Sequence, residues 1–377
     1  MNLNVIDRKE KGIKINQIPR LTWRWLRINH SELQSISTDY VKPYKKKFLR
    51  NVDQEGIEKL NRDNIEVFKM DRDISENMEK IISQELYTQV EKKANVNEVI
   101  RIKEGHKIEK PIIIELETDD YNHILINKIT IISEKNSDCS VILKLKNHSE
   151  ELSSFYNSII NIFAQEESNL HVSIIQNISK KSVGVNSIIV DGKKSSKVKI
   201  TSFELGGKNI YTKIFSNLEE SATCDLGSIY LLGEDQQLDV NYIMNHKGAK
   251  SESNIQAYGA LGGKATKTFK GTLDFKRGAK KAKGTEEEYV MLLSPKAKNL
   301  SAPLLLCEED DVEGQHAASA GKIDEEKLFY LMSRGLNENE AKIAIVNSLF
   351  NPIIDRIMDT EQKEEIIDII QRKLSLI

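Results

Sequence analysis

Residues 158–203 read SIINIFAQEESNLHVSIIQNISKKSVGVNSIIVDGKKSSKVKITSF. Four short segments rich in Ile and Val stand out: Ser158–Phe163, His171–Ile175, Ser187–Val190 and Val198–Phe203. Branched side chains suit a pleated, half-buried surface. Polar turn clusters separate the segments, at Glu166–Asn169 and at Asp191-Gly192. Almost no helical apolar period runs through the stretch. The same texture extends outward. Upstream lie Ile112–Glu117, Ile124–Ile132 and Val141–Leu145, with turns at Asn136-Ser137-Asp138 and Asn147-His148-Ser149. Downstream turns fall at Gly206-Gly207, Gly233-Glu234-Asp235 and Gly262-Gly263. Turns every ~10–15 residues mark an all-β architecture. The zone runs from about Val99 to Leu306, too long for one ordinary sandwich. A propeller and a solenoid both fit that length. A propeller carries a signature repeat of about 40 residues, and none is visible. A solenoid tolerates irregular repeats because each coil touches only its neighbours. The pattern favours a right-handed parallel β-helix.

The flanks differ. Before about residue 95, Ile74, Met78, Ile81, Ile82 and Leu86 fall on one face of a helix, and Gln54–Phe68 repeats the idea through Ile57, Leu60, Ile65 and Phe68. After the β zone, Asp324 is placed as a helix N-cap and Gly335 as a C′ glycine. Asn337 and Glu340 form a capping box for a second helix, which Asn351-Pro352 is expected to break. Glu364–Leu374 is a last amphipathic segment. The expected organisation is mainly β: an N-terminal helical region over 1–95, a parallel β-helix core over 96–323 and a C-terminal helical region over 324–377. Helices on both flanks are expected to cover the open ends of the solenoid.

Composition narrows the function. Among 377 residues, 55 Lys and Arg balance 57 Asp and Glu, a formal charge of −2. Phosphate-driven binding needs a basic surplus, so no nucleic-acid partner is expected. No apolar run approaches the ~18 residues of a membrane span, and the first sixteen residues lack an apolar signal core. The three cysteines, Cys139, Cys224 and Cys307, have no metal-knuckle spacing. These features predict a protein of the reducing cytoplasm, with each cysteine a small buried hydrophobe.

Linear catalytic motifs are missing. Gly259–Thr266 reads GALGGKAT, but Ala265 stands where a phosphate loop needs Ser or Thr. There is no G-x-S-x-G or H-E-x-x-H, and the seven histidines are dispersed. Two acidic runs, Glu286–Glu288 and Glu308–Asp311, flank Tyr289–Cys307. Neighbouring coils of a β-helix bring such runs together, as paired acids for glycoside cleavage require; the simpler reading is solvated charge. His316 stands out among Gly314, Ala317, Ala318, Ser319, Ala320 and Gly321. Small neighbours admit close approach by another backbone or a ligand, and a satisfied structural histidine is the plainer alternative.

The stretches FKGTLDFKRGA (269–279), MLLSPKA (291–297) and above all DDVEGQHAASAGKIDEEKLFYLMSRG (310–335) resemble the SufB/SufD family of iron–sulfur cluster assembly proteins. Weaker similarity covers His246–Ser253, Val99–Gly105, Glu109–Ile112 and Pro19–Leu33. The resemblance implies a right-handed parallel β-helix between helical regions. It also implies a cytosolic complex in which the end of the core pairs with a SufB-like paralogue and the C-terminal helices dock a SufC-like ATPase. The SufD side of the family is favoured. SufB is expected to carry its cluster-building cysteine near Glu287-Glu288-Tyr289 and a glutamate after the interface histidine, where this chain has Ala317. Many SufD chains have a cysteine where Gly314 stands. The function implied is a non-catalytic scaffold, with His316 as one metal ligand to a transient iron–sulfur cluster shared with the partner and none held tightly by the isolated chain. The runner-up is a SufB-like homodimeric scaffold in a reduced system.

Overall fold

The computed structural model describes residues 12–22, 27–34, 36–60 and 81–377. Sixteen strands, from β5 (Val96–Ile102) to β20 (Val312–Lys322), wind a solenoid of about eight turns. Even-numbered strands from β6 (Ile112–Thr118) to β20 form one parallel wall and odd-numbered strands from β5 to β19 (Lys298–Cys307) the other. Stacking in register builds the core as columns of side chains. One column runs Ile129, Ile160, Ile188, Ile214, Tyr242. Successive members are 26 to 31 residues apart, which is why no fixed repeat is legible in the sequence. Each strand adds a full parallel ladder, so hydrogen bonding is satisfied along the walls without a fixed coil length.

Many middle strands are apolar on both faces; every residue of β9 (Phe155–Ala164) is buried. Their outer faces therefore need cover, as in other two-sided parallel sheets. On the odd wall it comes from β1 (Ile13–Ile15), β2 (Ser31–Leu33) and α1 (Gln84–Lys93), whose Ile15, Leu33, Leu86 and Val90 pack with Ile126, Phe155, Ile159 and Ile189. On the even wall it comes from α3 (Glu338–Ile354) and α4 (Thr360–Leu374), whose Val346, Phe350, Ile366 and Ile370 pack with Ile175, Phe203, Ile229 and Leu231. The flanking helices thus cover walls and not ends, contrary to expectation. At the N-terminal end two short antiparallel strands close the stack: β3 (Leu49–Arg50) on β6 (Ile112–Thr118), and β4 (Ile57–Leu60) on β5.

The first 95 residues depart from the helical expectation. Ile57–Leu60, read as helical from its spacing, is strand β4, because β5 offers it a ladder and Ile57 packs on the core. Residues 61–80, which include Ile65, Phe68, Ile74 and Met78, lie outside the described residues. The C-terminal signals read locally do match. Asp324 accepts the Glu326 and Lys327 amides at the start of α2 (Glu325–Ser333), Gly335 has φ +102°, and the Asn337–Glu340 capping box opens α3. Pro352 does not break α3. It sits in the last turn, where buried Ile353 and Ile354 hold the helix on the even wall.

Candidate functional site

The far end of the solenoid is open. Among the described residues strand β19 (Lys298–Cys307) pairs only with β17 (Thr266–Phe275), and β20 only with β18 (Ala282–Leu292). In-register neighbours of a parallel sheet share a face. Glu286 pairs with His316 and Glu288 with Ala318. Glu286 and Glu288 point inward, 2% and 1% exposed. His316, Gly314, Ala318 and Ala320 therefore face the interior as well, yet His316, Ala318 and Ala320 are exposed because no further turn among the described residues covers them.

Directly beneath this mouth the core turns polar. The Glu288 carboxylate accepts from Lys267 Nζ, from Tyr230 at 2.6 Å and from Ser301 at 2.5 Å. Tyr230 reaches it across Gly259, where a Cβ would stand 1.8 Å from the ring. Burial pushes the Lys267 ammonium down to about 8, against the opposing pull of Glu288. It also raises the Tyr230 hydroxyl well above its usual range, with Glu288 adding to the rise. Glu286 occupies the space opposite Gly271, where a Cβ would lie 2.3 Å from its carboxyl carbon. Among the described residues neither Glu286 oxygen has a hydrogen-bond partner. Burial, then the charge of Glu288, raise its carboxyl to about 8.

The acidic runs therefore divide. Glu308, Asp310 and Asp311 are exposed, as expected of solvated charge, whereas Glu286 and Glu288 are core residues. Alternation along β18 carried the missed signal: three consecutive acids on a strand place one or two toward its inner face. Burial of both acids and the pairing of Glu288 with Lys267 do not fit a glycoside-cleaving pair. Glu313, three residues before His316, faces the other way and pairs with Lys283 at 3.0 Å. Cys139 and Cys224 are buried in the core as expected, and burial pushes both thiols up to about 12. Cys307 is exposed at the end of β19, contrary to the buried reading. Among the described residues no three His, Cys, Asp or Glu side chains converge on a metal position.

A second surface lies on α2. Phe329, Tyr330 and Met332 are 74%, 56% and 41% exposed, while Phe350 on α3 is fully buried against the even wall. Among the described residues no helix is long and apolar enough to cross a membrane.

A family model described as SUF system FeS cluster assembly, SufBD core domain, matches residues 116–349. The chain belongs to this family. The matched SufBD span takes in both walls from the end of β6 onward, the open turn and most of α3. The chain is similar to the iron–sulfur cluster assembly protein SufD of Bacillus subtilis, 25% identical over 271 residues, 71% of this chain and 62% of that protein. A SufBD family protein of Pyrococcus horikoshii is 27% identical over 266 residues, 68% of this chain and 57% of the relative. A Mycobacterium bovis member is 31% identical over 134 residues, 36% of this chain and 16% of the relative. The SufBD chain thus spans less than two thirds of the length of these relatives.

Proposed function

We propose that this chain is the SufD-like, non-catalytic scaffold subunit of a cytoplasmic iron–sulfur assembly complex, pairing with a SufB-like paralogue and docking a SufC-like ATPase. The observation that carries the reading is the open last turn, with unpaired β19 and β20 edges and His316 exposed among small residues. An unpaired strand edge is a template for another chain, and Ala318 and Ala320 let that chain approach closely. One neutral imidazole does not hold a cluster, which needs about four ligands, chiefly thiolates. His316 supplies one ligand to a transient cluster, the cargo of the complex, and the paralogue supplies thiolate. The apolar side chains exposed on α2 suit the ATPase contact. Removing everything from Asn337 onward would uncover Phe203, Ile229 and Leu231 on the even wall, so point substitutions are the sound test of docking.

Co-expression with both partners, followed by size-exclusion chromatography and iron and sulfide analysis, tests the proposal. The three chains co-elute. His316→Ala leaves the complex assembled and lowers its cluster content strongly. Phe329→Ala leaves thermal stability unchanged and weakens ATPase retention. A fully assembled His316→Ala complex with normal cluster content removes His316 from the site. A His316→Ala chain that melts earlier and pairs poorly makes it a structural residue.

A further inference from the structure

We infer that Glu286 is a second protein ligand, beside His316, for a single ferrous ion held in the mouth of the last turn. The inference rests on the reading of His316 as a ligand and adds a partner from within the solenoid. Three observations carry it. First, register places Glu286 and His316 as adjacent members of one inward-facing column, and neighbouring strands lie only ~4.8 Å apart. Second, Glu286 is 2% exposed and both its carboxyl oxygens lack a partner among the described residues, although Glu288, two residues on, is bonded by Lys267, Tyr230 and Ser301. A buried carboxyl without a hydrogen-bond partner is costly, and a cation entering from the open end displaces its proton to solvent and satisfies it. Third, the inward face of β20 from Gly314 to Ala320 carries only one side chain larger than methyl, His316. Imidazole with carboxylate suits first-row divalent ions such as iron. Two protein ligands leave positions for water and for the paralogue, so the ion is cargo on its way to a cluster.

The test is anaerobic titration of the isolated full chain with Co2+ as a spectroscopic probe for Fe2+, read by d–d absorption and calorimetry. One ion binds. Glu286→Gln and His316→Ala each weaken binding at least about ten-fold, the scale seen even for outer-sphere partners, and the double variant falls little further. Gly271→Ala keeps both ligands but displaces the carboxylate, and weakens binding too; it is the deciding variant should Glu286→Gln not fold. Absence of Co2+ binding by the unaltered chain, or unaltered affinity in Glu286→Gln, overturns the inference. Loss in His316→Ala alone overturns the role of Glu286 and leaves His316 a ligand. Co-elution of the same variants with the SufB-like chain reads the scaffold proposal separately: intact complexes without metal binding reject this inference and not that one.

Discussion

The two ends of the solenoid are built on opposite rules. At the N-terminal end the chain doubles back, and β3 and β4 pair antiparallel with β6 and β5 while Tyr44, Phe48 and Val52 pack on the first coils. That end is closed by its own chain and its core there is aliphatic. At the other end the outer edges of β19 and β20 find no partner among the described residues, the inner face of β20 is exposed from His316 to Ala320, and the layer beneath contains Glu286, Glu288 and Lys267. A soluble solenoid protects its edges. Protecting one and leaving the other bare, over buried charge, is the contrast on which the proposed pairing surface rests.

Substitutions sharpen this contrast. The largest stability effect is expected in the charged layer under the open end. Lys267→Met leaves Glu288 buried without its cation and costs about 3–5 kcal/mol, measured by urea unfolding. Adding Glu288→Gln recovers much of the loss; equal stability of the single variant and the unaltered chain would mean that the pair is not closed in solution. At the closed end Leu49→Ala removes a core side chain and costs about 2–5 kcal/mol, without changing affinity for the paralogue in the folded fraction. Reduced pairing without reduced stability would reverse the roles assigned to the two ends.

Between the ends, Glu204 gives the smallest effect. It is 1% exposed, accepts from Thr212 at 2.8 Å, and burial raises its carboxyl from the ordinary 4.5 to about 7. The folded chain therefore keeps a proton that the unfolded chain releases above 4.5, so stability is lost as pH rises through 7. Glu204→Gln removes that loss and is more stable than the unaltered chain at pH 8, by on the order of 2 kcal/mol, and indistinguishable at pH 4. Parallel pH curves for the two proteins would show that Glu204 is ionised in the fold.

Local signals were the legible ones. Asp324, Gly335 and the Asn337–Glu340 box depend on neighbours within a turn of helix, and alternating Ile and Val segments announce strands. Tertiary competition hid the rest. Ile57 and Leu60 fit a helical face as well as a strand, and the available β5 edge decided between them. Pro352 stops an isolated helix, but Ile353 and Ile354 have a wall to bury against. His316 drew notice for its small neighbours. Glu286 and Glu288 read as part of a solvated run because their burial depends on which face of β18 looks inward, and a one-residue shift reverses that assignment.

The claim that the bare end is the pairing surface is tested most directly by Ala318→Lys, co-expressed with the SufB-like paralogue and analysed by size-exclusion chromatography with a thermal melt of the isolated variant. A lysine on the exposed inner face of β20 leaves the fold within about 0.5 kcal/mol, as surface substitutions do, and the two chains elute separately. Co-elution of Ala318→Lys with the paralogue at the affinity of the unaltered chain would contradict the account.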